Sequence, residues 1–247
     1  MKTLVIGASG ELGAAIARTL AAEQHELILH GHKNVIGLNN LADEIGATAT
    51  LECDVRDEEQ VRTLIHQANV QGPISGLVYT AGINPTAETI ANTSTDVWSD
   101  TIAINLTGAF LCVKYALPYL RSGKPSAIVI VSSVFGLSSP AHRGAYGASK
   151  HGLTGLIQSV AREEGEAIRI NGVCPGPMWS ENVRRIFARH AKSVGISVED
   201  YVKQRQAQIP YGRFLQPQEC ASIVSFLLSD RAGFLTGEMI RISGGEF

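Results

Sequence analysis

Clustered cysteines, a basic stripe and long apolar runs are all missing from this sequence of 247 residues. The four cysteines, Cys53, Cys112, Cys174 and Cys220, are scattered without a C-x-x-C pair, and three lie in apolar runs, which favours buried thiols over metal ligands. A formal net charge of -2 argues against nucleic-acid binding. No apolar run is expected to span a membrane, and the first is too short for a signal peptide. A cytoplasmic protein without a bound metal is expected.

What is present is a regular alternation of short apolar runs with longer stretches of helical period. The runs are 3–7, 26–30, 50–54, 76–80, 127–131, 169–173 and 239–243. Most are continuous, as in strands covered on both faces. The stretches 13–23, 57–69, 94–117 and 146–164 between them are typical of helices. The pattern predicts an α/β fold, a doubly wound parallel seven-stranded sheet of Rossmann type with helices on both faces, in a single domain of residues 1–247.

Residues 177–215 break this alternation between the sixth strand and the last helix. An insertion of that length in a compact domain is typical of a lid or binding element. Met178, Trp179 and Phe187 lie near its start and could present an apolar wall to a substrate. The alternative is that they only pack the lid onto the core.

Three glycines follow the first strand in "LVIGASGELGAAIA" and lead into a helix. Gly7 would allow a tight turn, Gly10 a close approach of the backbone to a pyrophosphate, and Gly13 close packing of helix on strand. The start of the helix offers N–H donors and a positive dipole end. This placement favours a dinucleotide site over an ordinary turn.

The second strand ends in "HGHKN", where an NAD site would have an acid for the ribose hydroxyls. Gly31, His32 and Lys33 stand there instead, which favours a 2'-phosphate and therefore NADP(H) over NAD(H). The alternative is a solvated loop in which His32 and Lys33 have no role. After the third strand, Asp54 could bond the adenine amino group or cap the helix that starts near Asp57.

Tyr146 and Lys150 lie four residues apart, on one face of the helix predicted at 146–164. Ser133 stands thirteen residues before the tyrosine in "IVIVSSVFG", and Asn105 stands in "AINLTG". With "CPGPMWS", "IPYGRF" and "FLTGEMIRISGG", these motifs occur in the order of the short-chain dehydrogenase/reductase family. The whole chain resembles that family, and most of all its 3-oxoacyl-(carrier protein) reductase-type members.

The resemblance implies a catalytic set of Asn105, Ser133, Tyr146 and Lys150. Tyr146 would be the acid–base group, helped by a nearby Lys150 cation that favours its phenolate. Ser133 would hold the substrate oxygen, and Asn105 would anchor a water that connects Lys150 to solvent. The predicted cofactor contacts are Gly7, Ser9, Gly10, Leu12, Gly13, Gly31, His32, Lys33, Asp54, Val55, Ala81, Gly82, Tyr146, Lys150, Pro175, Gly176, Met178 and Ser180.

Three details depart from the family's usual pattern. Its first motif, G-x-x-x-G-x-G, would put glycine at Glu11, so the Glu11 carboxylate must point away from the phosphates. The usual asparagine-asparagine-alanine-glycine is reduced to "YTAG", which keeps Ala81 and Gly82. Ser180 stands where the family often has a threonine for the nicotinamide carboxamide, so the hydroxyl is kept.

The implied function is an NADP(H)-dependent oxidoreductase that reduces a ketone or 3-oxoacyl compound. The alternatives are a sugar or polyol dehydrogenase and a cofactor-binding regulator without turnover. A homo-oligomer, tetramer or dimer, is expected, with Leu106, Phe110, Leu153 and Ile157 as interface residues unless they pack within the monomer.

The predicted partner is a small-molecule substrate, and a carrier protein is a second, less favoured one. Glu163, Glu164 and Glu166 would repel an acidic carrier at the site entrance, and Arg184, Arg185 and Arg189 could offset that repulsion.

Overall fold

The structure, a computed structural model, describes residues 1–70, 72–122 and 125–246, without the side chain of residue 182. Its strands are β1 (Lys2–Ile6), β2 (Glu26–Gly31), β3 (Ala49–Glu52), β4 (Gly76–Tyr79), β5 (Ser126–Val131), β6 (Ile168–Pro175) and β7 (Met239–Ile242). Its helices are α1 (Glu11–Ala22), α2 (Val35–Ile45), α3 (Glu58–Ala68), α4 (Thr95–Ile102), α5 (Gly108–Leu120), α6 (Gly144–Glu164), α7 (Glu181–Val194), α8 (Val198–Ala207) and α9 (Pro217–Leu228).

Within the described residues, the strands form one parallel sheet in the order β3-β2-β1-β4-β5-β6-β7. Both faces of the sheet are covered, because alternate strand residues enter two different cores. In β1, Leu4 and Ile6 pack with α3, α5 and α6, whereas Val5 packs with α1, α2 and α9. The predicted doubly wound fold is therefore confirmed. All four cysteines are buried and unpaired.

The predicted helix 94–117 is interrupted in the structure. Ser94 caps α4 by accepting a hydrogen bond from the Val97 N–H at 3.2 Å, and a π-helical turn, Ala103–Thr107, separates α4 from α5. Such turns are rare and often occur at functional sites. Sequence periodicity could not show this interruption, because one extra residue in a helix leaves the apolar pattern almost unchanged.

The helical run Thr95–Leu120 has 26 residues, and an 18-residue window within it has a mean hydropathy of 1.3, which is long and apolar enough for a membrane span. The expectation that no segment meets this test is therefore wrong. The core location of the run accounts for its composition, since α4 packs on α6 and α5 on α3. Residues such as Ala109, Cys112 and Ala116 are fully buried there, so the run is weak evidence for a span.

The direction in which strands are added reverses between β1 and β4, which are neighbours in the sheet. In doubly wound sheets, ligands bind in the crevice outside the carboxyl ends of the strands at such a point. The segments that follow β1 and β4 are the glycine loop and residues 80–84, so the topology brings both to one crevice.

Candidate active site

The glycine loop after β1 has the geometry that a dinucleotide phosphate requires. Gly7 has a φ of +84°, and a Cβ there would lie 2.7 Å from the Ala81 nitrogen. A Cβ at Gly13 would lie 2.2 Å from the Gly7 carbonyl oxygen, so α1 approaches the loop closely. Gly10 is exposed at the N-cap of α1, and no side chain caps that helix end. The N–H groups of its first turn are therefore available to an anion, as a pyrophosphate site needs.

Glu11, the departure from the family pattern, turns its carboxylate to α7 instead of capping that helix end. Its carboxylate accepts a hydrogen bond from the backbone N–H of Glu181, in the first turn of α7. Leu12, the next residue, is half-buried and packs against the core on the α1 face.

His30 supports the glycine loop from β2, and sequence analysis gave it no role. Its ring is buried, accepts a hydrogen bond at Nδ1 from the Gly7 N–H at 3.2 Å, and contacts the Cys53 carbonyl through Nε2 at 3.1 Å. This pattern fits a neutral ring with the proton on Nε2. Burial also lowers the pKa of His30. The only signal in the sequence was a histidine within an apolar strand.

The predicted 2'-phosphate region lies at the end of β2. Gly31 is buried, and a Cβ there would lie 3.0 Å from the Ser9 hydroxyl, so the glycine keeps Ser9 close. His32 and Lys33 are exposed beside it.

Asp54 does not cap a helix, because Asp57 caps α3 by accepting from the N–H groups of Glu59 and Gln60. Instead the Arg56 guanidinium binds the Asp54 carboxylate, with Nη2 at 2.6 Å from Oδ2, and holds its pKa down at about 2. Val55, beside it, is buried in the core. Arg56 thus neutralises the acid nearest to His32, a contribution that sequence analysis missed.

Gly82, Asn105 and Lys150 come together at the end of β4. A Cβ at Gly82 would lie 3.2 Å from Asn105 Oδ1 and 3.6 Å from Lys150 Nζ. Asn105 is buried within the π-helical turn; its Oδ1 accepts from the Ile83 N–H at 2.8 Å, and its Nδ2 donates to the Ile83 carbonyl and the Ser149 hydroxyl. The Asn105 side chain therefore fixes the segment after β4 against α6.

Lys150 is buried, and its Nζ donates a hydrogen bond to the Val131 carbonyl at 2.9 Å. Burial lowers the pKa of Lys150 to about 8. Nζ also lies 5.7 Å from the centre of the Tyr146 ring. The lysine and the tyrosine thus share one face of α6, as their spacing predicts.

Ser133 also lies close enough to Tyr146 to influence its phenol. Burial raises the pKa of Tyr146 above its ordinary value, and the Ser133 hydroxyl and the Arg143 cation oppose that rise. The expected effect of the Lys150 cation on the Tyr146 phenolate stays a prediction, with Nζ 5.7 Å from the ring centre. The Lys150 ammonium is turned to the Val131 carbonyl, and the cation that lowers the pKa of Tyr146 is Arg143, which sequence analysis did not select.

The segment after β6 lies beside the end of β7, which is parallel to β6. The Gly176 N–H donates to the Ile242 carbonyl at 2.9 Å, after Pro175 at the buried end of β6. Met178 forms a bridge with Leu215. Ser180 caps α7 by accepting from the Val183 N–H at 3.2 Å, so its own proton stays available for a hydrogen bond.

Two of the three residues of the expected apolar wall pack on other aromatic rings of the same segment. The Trp179 ring stacks on Phe214 with centroids 5.3 Å apart, and Phe187 packs against both Phe214 and Tyr201. These rings form a small core of their own within residues 177–215, separate from the two cores on the sheet. Aromatic rings gain more by burial against one another than by facing an open cleft.

The predicted carrier repulsion is misplaced. Glu163 and Glu164 are at the carboxyl end of α6, whereas Tyr146 is in its first turn, and the helix has 21 residues. At about 1.5 Å per residue, the two ends lie about 30 Å apart. Glu164 is moreover buried and paired with Arg121.

Comparison with known proteins places the chain in a family. The model of a family described as Enoyl-(Acyl carrier protein) reductase matches residues 7–246. A 3-oxoacyl-[acyl-carrier-protein] reductase of Staphylococcus aureus is 30% identical over 250 residues, which cover 99% of this chain and 97% of that protein. A cis-4-hydroxycyclohexanecarboxylate dehydrogenase of Sinomonas cyclohexanicum is 32% identical over 98% of this chain and 94% of its own.

A solved structure agrees with these relatives. An actinorhodin polyketide ketoreductase with NADPH superposes with a TM-score of 0.91 at 29% identity, covering 98% of this chain and 95% of that one. Together with the family match and the full-length relatives, this establishes that the chain belongs to the short-chain dehydrogenase/reductase family and is an oxidoreductase.

Proposed function

We propose that the protein is an NADP(H)-dependent reductase of a ketone or 3-oxoacyl compound. The observation that carries this proposal is that Ser133, Tyr146 and the buried Lys150 lie together at the carboxyl edge of the sheet. Relatives named as reductases of 3-oxoacyl groups and a structural neighbour named as a ketoreductase support the substrate class.

In this mechanism, Ser133 donates a hydrogen bond to the substrate carbonyl oxygen and so orients it. A bound nicotinamide supplies the hydride. The phenol of Tyr146 gives its proton to the developing alkoxide. Since burial raises the pKa of Tyr146, the phenol is protonated at neutral pH and suits the reducing direction. Lys150 holds positive charge near the resulting phenolate, and we propose that Asn105 keeps the water path to Lys150 open.

For the cofactor, the uncapped start of α1 would hold the pyrophosphate, and His32 with Lys33 would hold the 2'-phosphate. No carboxylate can stand at Gly31 without displacing Ser9 or Leu38, and Arg56 neutralises Asp54. Both features support NADP over NAD.

Residues 177–215 are proposed as a lid of the same domain, 1–247. Their helices α7 and α8 carry a separate aromatic core and are linked to the glycine loop through Glu11. A unit with its own core can move as one body over the site.

A cytoplasmic homo-oligomer is also proposed. Phe110 and Trp98 are 45% and 42% exposed on the α4–α5 run, which supports an interface there. Leu153 and Ile157, which were also expected there, are fully buried in the monomer and are therefore no longer proposed as interface residues. Leu106 is half-buried. A carrier protein stays the alternative partner, since α7 exposes three arginines, Arg184, Arg185 and Arg189.

The test is a panel of ketones, 3-oxoacyl thioesters and sugars, followed by the absorbance of NADPH. Reduction of at least one ketone or thioester, with no faster oxidation of sugars, is expected. Activity on sugars alone would replace the proposal with the polyol dehydrogenase alternative, and no turnover on any compound would contradict it.

A further inference from the structure

Arg143 lies three residues before Tyr146, and the mechanism above gives it no contact with substrate. The side chain is half-buried, and its Nη1 donates to Asn84 Oδ1 at 3.1 Å and to the Pro85 carbonyl at 2.9 Å. Within the described part of the chain, no carboxylate pairs with this guanidinium, and nothing accepts from its Nε or Nη2. By contrast, Arg121 and Arg213 each bind a carboxylate with two nitrogens.

The backbone holds Arg143 in place at some cost. His142, just before it, has a φ of +64°, a left-handed conformation that is uncommon for residues other than glycine. Strain of this kind persists where the surrounding structure enforces it and is concentrated at functional sites. Here the Glu88 N–H donates to the His142 carbonyl at 3.1 Å and ties the turn to the segment after β4.

Arg143 and Tyr146 line the same small pocket, together with Pro85, Thr86 and Val97. Glu88 and His142 are the other titratable residues around it. No side chain caps α6 at Arg143, so the first N–H groups of that helix are also available there. The free Nε and Nη2 edge of a guanidinium is the geometry that binds a carboxylate or phosphate with two hydrogen bonds.

We propose that Arg143 determines specificity by binding an anionic oxygen group, a carboxylate or a phosphate, on the substrate whose carbonyl lies between Ser133 and Tyr146. This inference rests on the proposed function and narrows it to small oxo acids or phosphorylated ketones. Glu88 sets a limit, because it would disfavour anionic groups that extend past the guanidinium.

The test compares matched pairs of substrates, 3-oxobutanoate with its ethyl ester and dihydroxyacetone phosphate with dihydroxyacetone. In the wild type, kcat/KM should favour the anion in at least one pair by about tenfold or more, as a charge-assisted hydrogen bond allows. Arg143→Gln should reduce that ratio by about tenfold, mainly through KM. Arg143→Lys should reduce it less, because it keeps the charge but loses the two adjacent N–H donors of the guanidinium. The pair that responds distinguishes carboxylate from phosphate.

Arg162→Gln is the control, since it removes the same charge from an exposed position near the other end of α6 and should leave the ratio unchanged. NADPH affinity, measured by fluorescence, checks that the Arg143 variants are folded. The ratio of anion to ester cancels any effect of the substitution on the acidity of Tyr146.

A wild type that reduces neutral ketones without preferring anions, or an Arg143→Gln variant that keeps the preference, would overturn this inference and leave the proposed function intact. A wild type that reduces no carbonyl compound contradicts the proposed function instead. In that case, calorimetric titration of 3-oxobutanoate and dihydroxyacetone phosphate into the protein saturated with NADP⁺ decides: binding that Arg143→Gln abolishes supports the anion site, and equal or absent binding refutes it.

Discussion

The Glu11 carboxylate accepts a hydrogen bond from the backbone N–H of Glu181 at 2.9 Å, across 170 residues of sequence. It links the glycine loop directly to the first helix of the proposed lid. An acceptor at this place satisfies one of the free N–H groups of α7 and adds negative charge at the positive end of that helix.

Replacing Glu11 by alanine should therefore loosen α7. We expect faster amide hydrogen exchange in residues 181–194, in line with the loss of about 0.5–1 kcal/mol of helix-end stabilisation. NADPH should bind equally or more tightly, because a carboxylate beside the proposed pyrophosphate position is removed. Glu199→Ala, in the first turn of α8, is the control. Unchanged exchange in α7 would show that the link has no energetic weight.

NADPH should bind more tightly than NADH by about tenfold at low salt, as one charge-assisted phosphate contact allows. Lys33→Ala and His32→Ala should remove much of this difference without weakening NADH. His32→Asp should shift the preference toward NAD, and it is a better variant than Gly31→Asp because Gly31 is buried against Ser9 and Leu38. Equal affinities in the wild type would contradict the NADP assignment.

Tyr146→Phe should retain the fold and bind NADPH normally but lose turnover by about 10²–10⁴-fold, the usual contribution of a general acid. Loss of the phenol removes a group close to the Ser133 hydroxyl but opens no cavity. Steady-state rates and fluorescence titration measure the two effects separately. A variant with most of the wild-type rate would exclude Tyr146 as the acid.

The buried Lys150 ammonium should lower the free energy of unfolding, although the reaction needs it. Its pKa falls from 10.5 in the unfolded chain to about 8 in the folded one. Between these values the unfolded state binds more protons, so this contribution makes stability rise as pH increases from about 8 to about 10.5, and the full penalty applies below pH 8. Lys150→Met should then raise stability at pH 7 by on the order of 1–3 kcal/mol, less the lost hydrogen bond to Val131, and abolish most activity.

Urea unfolding at pH 7 and pH 10 checks this effect, with the exposed Lys203→Met as control. The gain from Lys150→Met should shrink at the higher pH. A variant that is less stable than the wild type at both pH values would show that the ammonium's hydrogen bond outweighs its desolvation.

The wild type should elute as a dimer or tetramer, and Phe110→Glu should shift it to a smaller species at micromolar concentration. A charge on this exposed ring position disrupts an apolar interface but not the monomer core. Ile36→Glu, at another exposed apolar residue in α2, should leave the size unchanged. A monomeric wild type by light scattering would refute the assembly.

The strands, their burial on both faces, their parallel arrangement and the position of the glycine loop could be predicted from the sequence. Continuous apolar runs and a 3.6-residue period depend on neighbours along the chain, so they survive without any knowledge of the fold. The same holds for Tyr146 and Lys150, whose spacing alone puts them on one helix face. Local patterns of this kind determined the fold class and the family.

The environment of those residues was decided only by the tertiary structure. Trp179 could face a substrate or pack inward, and it packs on Phe214 because the chain turns back at Leu215 to pair with Met178. Arg143 matters because it donates a hydrogen bond to the Pro85 carbonyl, and His30 matters because it accepts one from the Gly7 N–H. The order of the strands in the sheet brings these partners together. Hydrogen bonds and pKa values depend on which distant groups share a low-dielectric space, and no sequence period encodes that.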